Sequence, residues 1–207
     1  MTQPSPSNKP IVAAFDFDGT ITTRDALLPF LIEVAGFWAS LRKFTKLSPK
    51  FAGYLLHQIT RQEVKEEILT RFFAGMPIEQ LRELGEAFAR SNTLKQLVRP
   101  EAKRRIDWHR RQNHRCILIS ASIDVFLQPW SKRAGFEDLI CSQLEVDPGG
   151  NVTGRLNGLN CWGPEKQRCL EALLGPRNTY TLYAYGDSRG DKELLAYADF
   201  PFYRKMS

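Results

Sequence analysis

Four places in the sequence set chemistry-bearing side chains at the end of an apolar run or the start of a helix. Residues 11–20 read IVAAFDFDGT: five apolar residues, then Asp16 and Asp18 two positions apart, then Gly19. Side chains two apart on a continuing strand point the same way. Two carboxylates held that close repel unless a cation or a proton lies between them. The pattern offers a divalent-metal site with a nucleophile and an acid/base; the plain alternative is a strand followed by an Asp-Gly turn. Residues 116–119 (CILI) end in Ser120, followed by Ala121, Ser122 and a helix start. A hydroxyl and backbone N–H groups there suit a phosphate. Gly163-Pro164-Glu165-Lys166 opens another helix, and Lys166 in its first turn opposes the helix dipole at a cost of about 0.3–1 kcal/mol. A neighbouring anion would reverse that sign; a solvated surface lysine is the alternative. On the dipole argument, Lys166→Ala leaves the fold intact and its stability level or slightly higher. Residues 179–185 lead to Gly186-Asp187, and Asp191 follows four positions later. Asp191 either serves the metal side or caps the next helix through its side chain.

The elements that must position these groups follow from the apolar pattern. The runs at 11–15, 116–119 and 179–185 read as strands buried on both faces, as in a parallel sheet. In open α/β sheets ligand chemistry collects at the carboxyl ends of such strands. Residues 23–95 show no strand pattern and read as a helical insert packed around its own small core. Within it, residues 26–41 are broken by Pro29 and Glu33, and Ser48-Pro49 breaks the pattern again. Thr60-x-x-Glu63 is a capping-box signature, opening a helix with Val64, Ile68 and Phe72 on one face. Pro77 suits the first turn of the next helix, where Ile78, Leu81, Gly85 and Phe88 form the stripe. Phe37, Trp38, Phe44, Phe51 and Tyr54 are expected in the insert's core. Pro100 begins a helix carrying Lys103, Arg104, Arg105, Arg110 and Arg111, read as a solvated face. Residues 139–146 read as one strand, returned by residues 152–156 after the turn Asp147-Pro148-Gly149-Gly150-Asn151. Residues 199–203 read as a last short strand.

Taken together, DFDGT after an apolar strand, Ser120 at the end of a second strand, Lys166 at a helix start and GDSRGD at 186–191 resemble, in order, the four motifs of the haloacid dehalogenase superfamily. The 101 residues between Asp18 and Ser120 suit an inserted helical cap plus the basic helix. The resemblance implies a Rossmann-like α/β core with a parallel sheet, formed by residues 10–22 and 96–207, and a helical cap at residues 23–95. Ser120-Ala121-Ser122 and the hairpin LEVDPGGNVTGRL are similar to the phosphoserine-phosphatase-like branch, which also includes phosphatidylglycerophosphate phosphatases. That branch usually carries Gly-Gly after the motif II serine, where this chain has Ala121-Ser122, so phosphoserine is not assigned as substrate. By resemblance, Asp16 is the nucleophile and Asp18 the acid/base. Mg²⁺ is held by the carboxylates of Asp16 and Asp187 and the backbone carbonyl of Asp18. Ser120, Ala121 and Lys166 hold the phosphoryl group, Gly19 and Thr20 shape the loop, and Asp191 supports the metal's waters or Lys166.

Composition sets the remaining bounds. The chain has 207 residues, 43% hydrophobic and 25% charged, with a net charge of +6. That is enough for one core plus an insert. The excess charge suits an anionic small substrate, nucleic acid or an acidic membrane surface. With the resemblance, the expected partner is a phosphorylated small molecule or lipid phosphate, not nucleic acid. Cys116, Cys141, Cys161 and Cys169 form no CxxC pair, which reads as a reduced, cytoplasmic protein. Residues 1–9 read as a disordered polar tail rather than a signal peptide. No run is long and apolar enough for a membrane span, although the basic helix and aromatic insert leave peripheral membrane contact open. Two rival readings are a dehalogenase of the same fold, which Asp18 argues against, and a non-catalytic phosphate- or lipid-surface-binding module.

Overall fold

The structure, a computed structural model, describes residues 9–45 and 60–206, apart from the side chains of Lys43 and Phe44. The expectations for the tail at 1–8, for Ser48-Pro49, for Phe51 and Tyr54, and for the Phe44 side chain lie outside the described residues. The centre is a five-stranded parallel sheet in the order β3-β2-β1-β6-β7. Its strands are β1 (Ile11–Phe15), β2 (Arg115–Ile123), β3 (Asp138–Ser142), β6 (Thr181–Gly186) and β7 (Phe200–Tyr203). β1 lies in the middle, with Phe15 level with Leu118 of β2 and Tyr185 of β6. Its alternation serves two cores. Ala13 and Phe15 enter one apolar cluster, Val12 and Ala14 the other, so both faces of the strand are covered. The ends of β1, β2 and β6 therefore share one edge, where sequence order reverses direction across the sheet.

The helices are α1 (Leu27–Ala35), α2 (Phe37–Thr45), α3 (Arg61–Phe73), α4 (Ile78–Arg90), α5 (Asn92–Leu97), α6 (Pro100–Arg111), α7 (Asp124–Ala134), α8 (Pro164–Leu174) and α9 (Lys192–Tyr197). Thr60 and Glu63 form the expected capping box on α3. Pro29 does not break α1, because it sits in the first turn, where a missing N–H costs nothing. The chain leaves the core and returns to it side by side: Thr22 bridges Val98, and Thr23 N–H donates to the Leu97 carbonyl at 2.8 Å.

Three expectations change. First, the described residues of the 23–95 insert share their core with the sheet rather than enclosing one of their own. Phe30 and Phe88 pack with Phe126 of α7, Phe73 packs on Phe30, and all belong to the cluster that contains Phe15. A Cβ on Gly85 of α4 would stand 2.2 Å from the Val125 carbonyl oxygen of α7, so only glycine permits this approach. Second, Phe37 and Trp38 are 58% and 78% exposed rather than buried; their rings meet edge to face at the surface. Third, residues 139–146 split. β3 stays in the main sheet, while β4 (Leu144–Val146) pairs antiparallel with β5 (Val152–Leu156). The hairpin leans on α3, where Gly154 meets the Thr70 backbone too closely for any Cβ. Lys103, Arg104, Arg110 and Arg111 of α6 are exposed, as a solvated face requires. Arg105 instead donates to the Tyr185 hydroxyl at 2.7 Å.

Candidate active site

The site grows from the end of β1. Asp16 is buried, and the chain then turns through residues 17–21, with Gly19 at φ 81°. Gly19 has two reasons to be glycine. Its φ lies in the left-handed region, and a Cβ there would stand 2.4 Å from an Asp187 carboxylate oxygen. The turn aims Thr20 back at the strand ends, where its hydroxyl lies 2.9 Å from Asp16 Oδ2 and 3.2 Å from Asp187 Oδ1. One hydroxyl thus ties the carboxylates that end β1 and follow β6.

Lys166 is no surface lysine. It is 2% exposed, and its ammonium lies 2.6 Å from Asp16 Oδ1 and 2.6 Å from Asp191 Oδ1. The anion that offsets the helix dipole is therefore built into the protein, twice over. Burial alone would pull the ammonium pKa down, but the two carboxylates outweigh it and hold it above the ordinary value. One cation serves two buried carboxylates, so they do not fare alike. Burial raises Asp16 to about 6, with Lys166 offsetting only part. Asp191 is also buried, yet Lys166 and the Ser188 hydrogen bonds hold it below the usual range. Asp191 precedes α9 as its N-cap residue, but its side chain makes no capping hydrogen bond to that helix. Its Oδ2 accepts from Asp187 N (3.2 Å), Ser188 N (3.0 Å) and Ser188 Oγ (2.8 Å), closing a capping box on the turn at 189–191.

Asp18 points elsewhere. Its Oδ1 accepts from the Ala26 N–H at 2.7 Å, and the Ser122 hydroxyl also supports it. Burial, then the charges of Asp25 and Asp16, push its carboxyl up to about 8. Ser120 is fully buried at the β2 end, and its Oγ accepts from Ser122 N at 3.0 Å. β2 runs past Ser120 to Ile123 with a register shift against β3, which keeps 120–122 extended before α7 begins. The Ala121 carbonyl accepts from Ser142 Oγ at 2.9 Å and from Lys65 Nζ.

Asp16, Asp18, Ser120, Ala121 and Lys166 all line one cavity of about 560 Å³. Gly19, Thr20 and Asp187 line a second cleft of about 330 Å³, linked to Asp16 through the Thr20 hydroxyl. Oxygens of Asp16, Asp187 and Asp191 lie within 4.8 Å of one another. Asp191 Oδ1 meets Lys166 and its Oδ2 accepts three hydrogen bonds of the Ser188 turn, whereas Asp16 meets Lys166 and Thr20 with one oxygen each and Asp187 meets Thr20, so Asp16 and Asp187 keep more capacity to hold a cation. Burial also raises the Asp187 carboxyl. An all-oxygen donor set with surplus negative charge fits Mg²⁺.

Sequence reasoning missed five further residues that line the cavity, Asp25, Arg61, Lys65, Asn160 and Trp162. Val64 and Ile68, assigned to a core stripe, also face it. The available signal was the pair Arg61 and Lys65, four residues apart beside that stripe, and it reads the same as a solvated helix flank.

Comparison with known proteins identifies the family and the fold. The chain is 33% identical over 201 residues to Protein CicA of Caulobacter vibrioides, covering 95% of this chain and 87% of that one. A Bordetella pertussis Tohama I protein of unknown function has the same fold (TM-score 0.76, 22% identity, 91% of this chain and 87% of that chain). So does a substrate-bound phosphoserine phosphatase (TM-score 0.61, 16% identity, 93% and 84%). The family model for haloacid dehalogenase-like hydrolases matches residues 13–196, from the first strand to the last helix. With strand ends, lysine and carboxylates placed as described, the chain belongs to the haloacid dehalogenase-like hydrolase family.

Proposed function

We propose that the protein is a Mg²⁺-dependent phosphomonoester hydrolase that works through an aspartyl-phosphate on Asp16. The observation that carries this reading is the placement of Asp16 and Asp18 on one cavity, with Lys166 bonded to Asp16 and Thr20 joining Asp16 to Asp187. The phosphoserine phosphatase that shares the fold at 16% identity adds a chemical parallel. In the first step an Asp16 oxygen bonds to phosphorus, and the ester P–O bond breaks. The departing alkoxide takes the Asp18 proton. In the second step Asp18 accepts a proton from water as its oxygen bonds to phosphorus, and the Asp16–phosphorus bond breaks to release phosphate. Lys166, Ser120 and the Ala121 backbone N–H hold the phosphoryl oxygens as charge spreads over them. Asp16, Asp187 and the Asp18 backbone carbonyl would hold Mg²⁺, which neutralises charge on the phosphoryl group. Residues 23–95 act as the cap that selects the ester and excludes water.

The substrate is a small organic or lipid-headgroup phosphate rather than nucleic acid. The four cysteines are free, which suits the cytoplasm. Among the described residues, no helix is long and apolar enough to cross a membrane.

Trapping the intermediate tests the reading. With p-nitrophenyl phosphate the leaving group needs little protonation, whereas the second step still needs a base. Asp18→Asn should release a burst of p-nitrophenolate, then turn over about 10²–10⁴-fold slower than wild type. Quenched protein should carry one added phosphoryl group, on Asp16, absent in Asp16→Asn. EDTA should abolish wild-type turnover and Mg²⁺ restore it. Label on Asp18, or full activity in excess EDTA, would overturn the reading.

A further inference from the structure

The basic helix α6 does not turn all of its charge to open solvent. Lys103, Ile106, Asp107 and Arg110 recur at the spacing of one helix face, and all four line a cavity of about 550 Å³. Trp130, Arg133 and Ala134 of α7 line it too, with Lys95 of α5 and Arg99. None of the groups assigned above to phosphoryl transfer or to the cation lies on this cavity. Its lining combines apolar surface with excess positive charge. Ile106 is buried and Trp130 half-buried, whereas five cations stand against one acid, Asp107. Arg133 is paired with Glu86 at 2.7 Å, but Arg99 and Arg110 reach Glu101 and Asp107 only at 3.7 Å. Among the described residues, no carboxylate pairs with Lys95 or Lys103. The Arg110 guanidinium lies against Gly135, in the space a Cβ would fill. A concave cavity of this size suits a small molecule that enters it rather than a bilayer lying across it, and its surplus of cations concentrates anions.

Two of the lining residues also hold the catalytic turn. Arg99 Nε donates to the Thr22 carbonyl at 3.1 Å, its Nη2 to the Gly19 carbonyl at 3.4 Å, and its N–H to the Ile21 carbonyl at 2.9 Å. The Trp130 ring meets the Phe17 ring edge to face at 4.8 Å, and Phe17 stands between Asp16 and Asp18. We infer that this cavity is a second binding site, for a small anion with an apolar body, and that its occupant steadies the turn at 17–22. The acid, a carboxylate or phosphate, meets the ammoniums of Lys95 and Lys103, and the body rests on Ile106 and Trp130. The inference does not depend on the reaction assigned to Asp16.

The probe is 8-anilinonaphthalene-1-sulfonate, which joins an acid to an aromatic body and fluoresces on apolar surface. For a ligand of its size a Kd of about 10–100 µM is expected. Its uncharged analogue N-phenyl-1-naphthylamine should bind about 10-fold more weakly, and inorganic sulfate should not displace it at equal concentration. Lys95→Glu combined with Lys103→Glu should weaken the probe by about 10-fold, and the corresponding Gln pair by less. Both lysines are exposed, so the unfolding midpoints of these variants should stay level. With probe at ten times its Kd, amide hydrogen exchange at 17–22 should slow by about 10-fold. If the Glu pair binds the probe as tightly as wild type, the probe sits elsewhere and the inference is overturned. Equal binding of the uncharged analogue overturns it too, because the cations then play no part. If phosphatidylglycerol vesicles sediment the protein through Lys95 and Lys103 while the probe does not bind, the occupant is a lipid surface and the small-molecule site is refuted. If the Glu pair loses the probe but exchange at 17–22 never responds, the site stands and its link to the turn is overturned. The phosphatase reading is untouched by any of these results, since the phosphoenzyme tests it separately.

Discussion

Replacing Lys166 with Met tests the most consequential feature of the site. The variant keeps the apolar stem and removes the ammonium that contacts Asp16 and Asp191 at 2.6 Å each. From the sequence, this lysine merely opposes a helix dipole, and its loss would relieve about 0.3–1 kcal/mol. In the structure its side chain is 3% exposed and its partners are 7% and 0% exposed. Removing one member of a buried pair costs about 3–5 kcal/mol, because the other charge stays buried and unpaired. The second effect is larger, so the net expectation is a loss of about 3 kcal/mol. For a chain of this size that lowers the unfolding midpoint by roughly 6–12 °C.

The pH dependence has a definite sign. Without Lys166, Asp16 and Asp191 have folded-state pKa values above their unfolded ones. Groups of that kind favour the folded state below the unfolded pKa and lose that favour as pH rises through the folded value. The gap between wild type and variant should therefore be wide at pH 8 and narrow toward pH 5. Adding Asp191→Asn removes one unpaired charge, so the double variant should be more stable than Lys166→Met alone. Calorimetry in EDTA at both pH values measures these differences, and added Mg²⁺ should recover part of the loss through Asp16. An unchanged or raised midpoint for Lys166→Met at pH 8 would refute the buried-pair account and return Lys166 to the dipole argument.

Two further outcomes are expected. Gly85→Ala should gain about 1 kcal/mol in helix propensity, yet overpacking against the Val125 carbonyl costs about 1–3 kcal/mol. The unfolding midpoint should fall, and a rise would mean that α4 and α7 do not approach so closely. His109 is buried, with Nε2 2.8 Å from the Tyr185 hydroxyl and Nδ1 2.8 Å from His114 Nδ1. Burial, then His114 and Arg105, lower its pKa to about 3. A lowered folded pKa gives stability present above the unfolded value near 6.5 and lost as pH falls through that window. The stability advantage of wild type over His109→Gln should shrink from pH 8 to pH 5 in chemical denaturation, and a constant advantage would refute the buried neutral imidazole.

What the sequence made legible and what it hid differ in physical kind. β1, β2 and β6 could be read because a strand buried on both faces must be apolar throughout, and residues 11–15 and 116–119 are. Once three such strands run parallel, their ends share an edge, so Asp16, Ser120 and Asp187 are brought together by topology rather than by local signals. Residues 139–146 misled because the apolar residues on either side of Ser142-Gln143 fit one strand as well as two, and sequence does not state which sheet each pairs with. The chain changes sheets around Gln143. Phe37 and Trp38 misled because aromatic content says nothing about which side of a helix meets a neighbour. Lys166 was found for an incomplete reason: a local rule appeared broken, while the compensating carboxylates lie 150 and 25 residues away in sequence.

Lys65 shows the same limit in the same cavity. In sequence it is one cation in the run Arg-Gln-Glu-Val-Lys-Glu-Glu, where acidic neighbours offer ready partners and a solvated face is the natural reading. In the fold its ammonium turns away from those carboxylates toward the Ala121 carbonyl and Asn160. Glu66, the next residue, accepts from Gln62 Nε2 and Leu156 N instead. The charge of Lys65 is thus left to the cavity because its neighbours are engaged by the flap hairpin and its own helix. The reacting groups sit at strand ends, where a short apolar run announces them. A lysine on a helix face carries no such announcement, because the partners of its ammonium are settled only by tertiary packing.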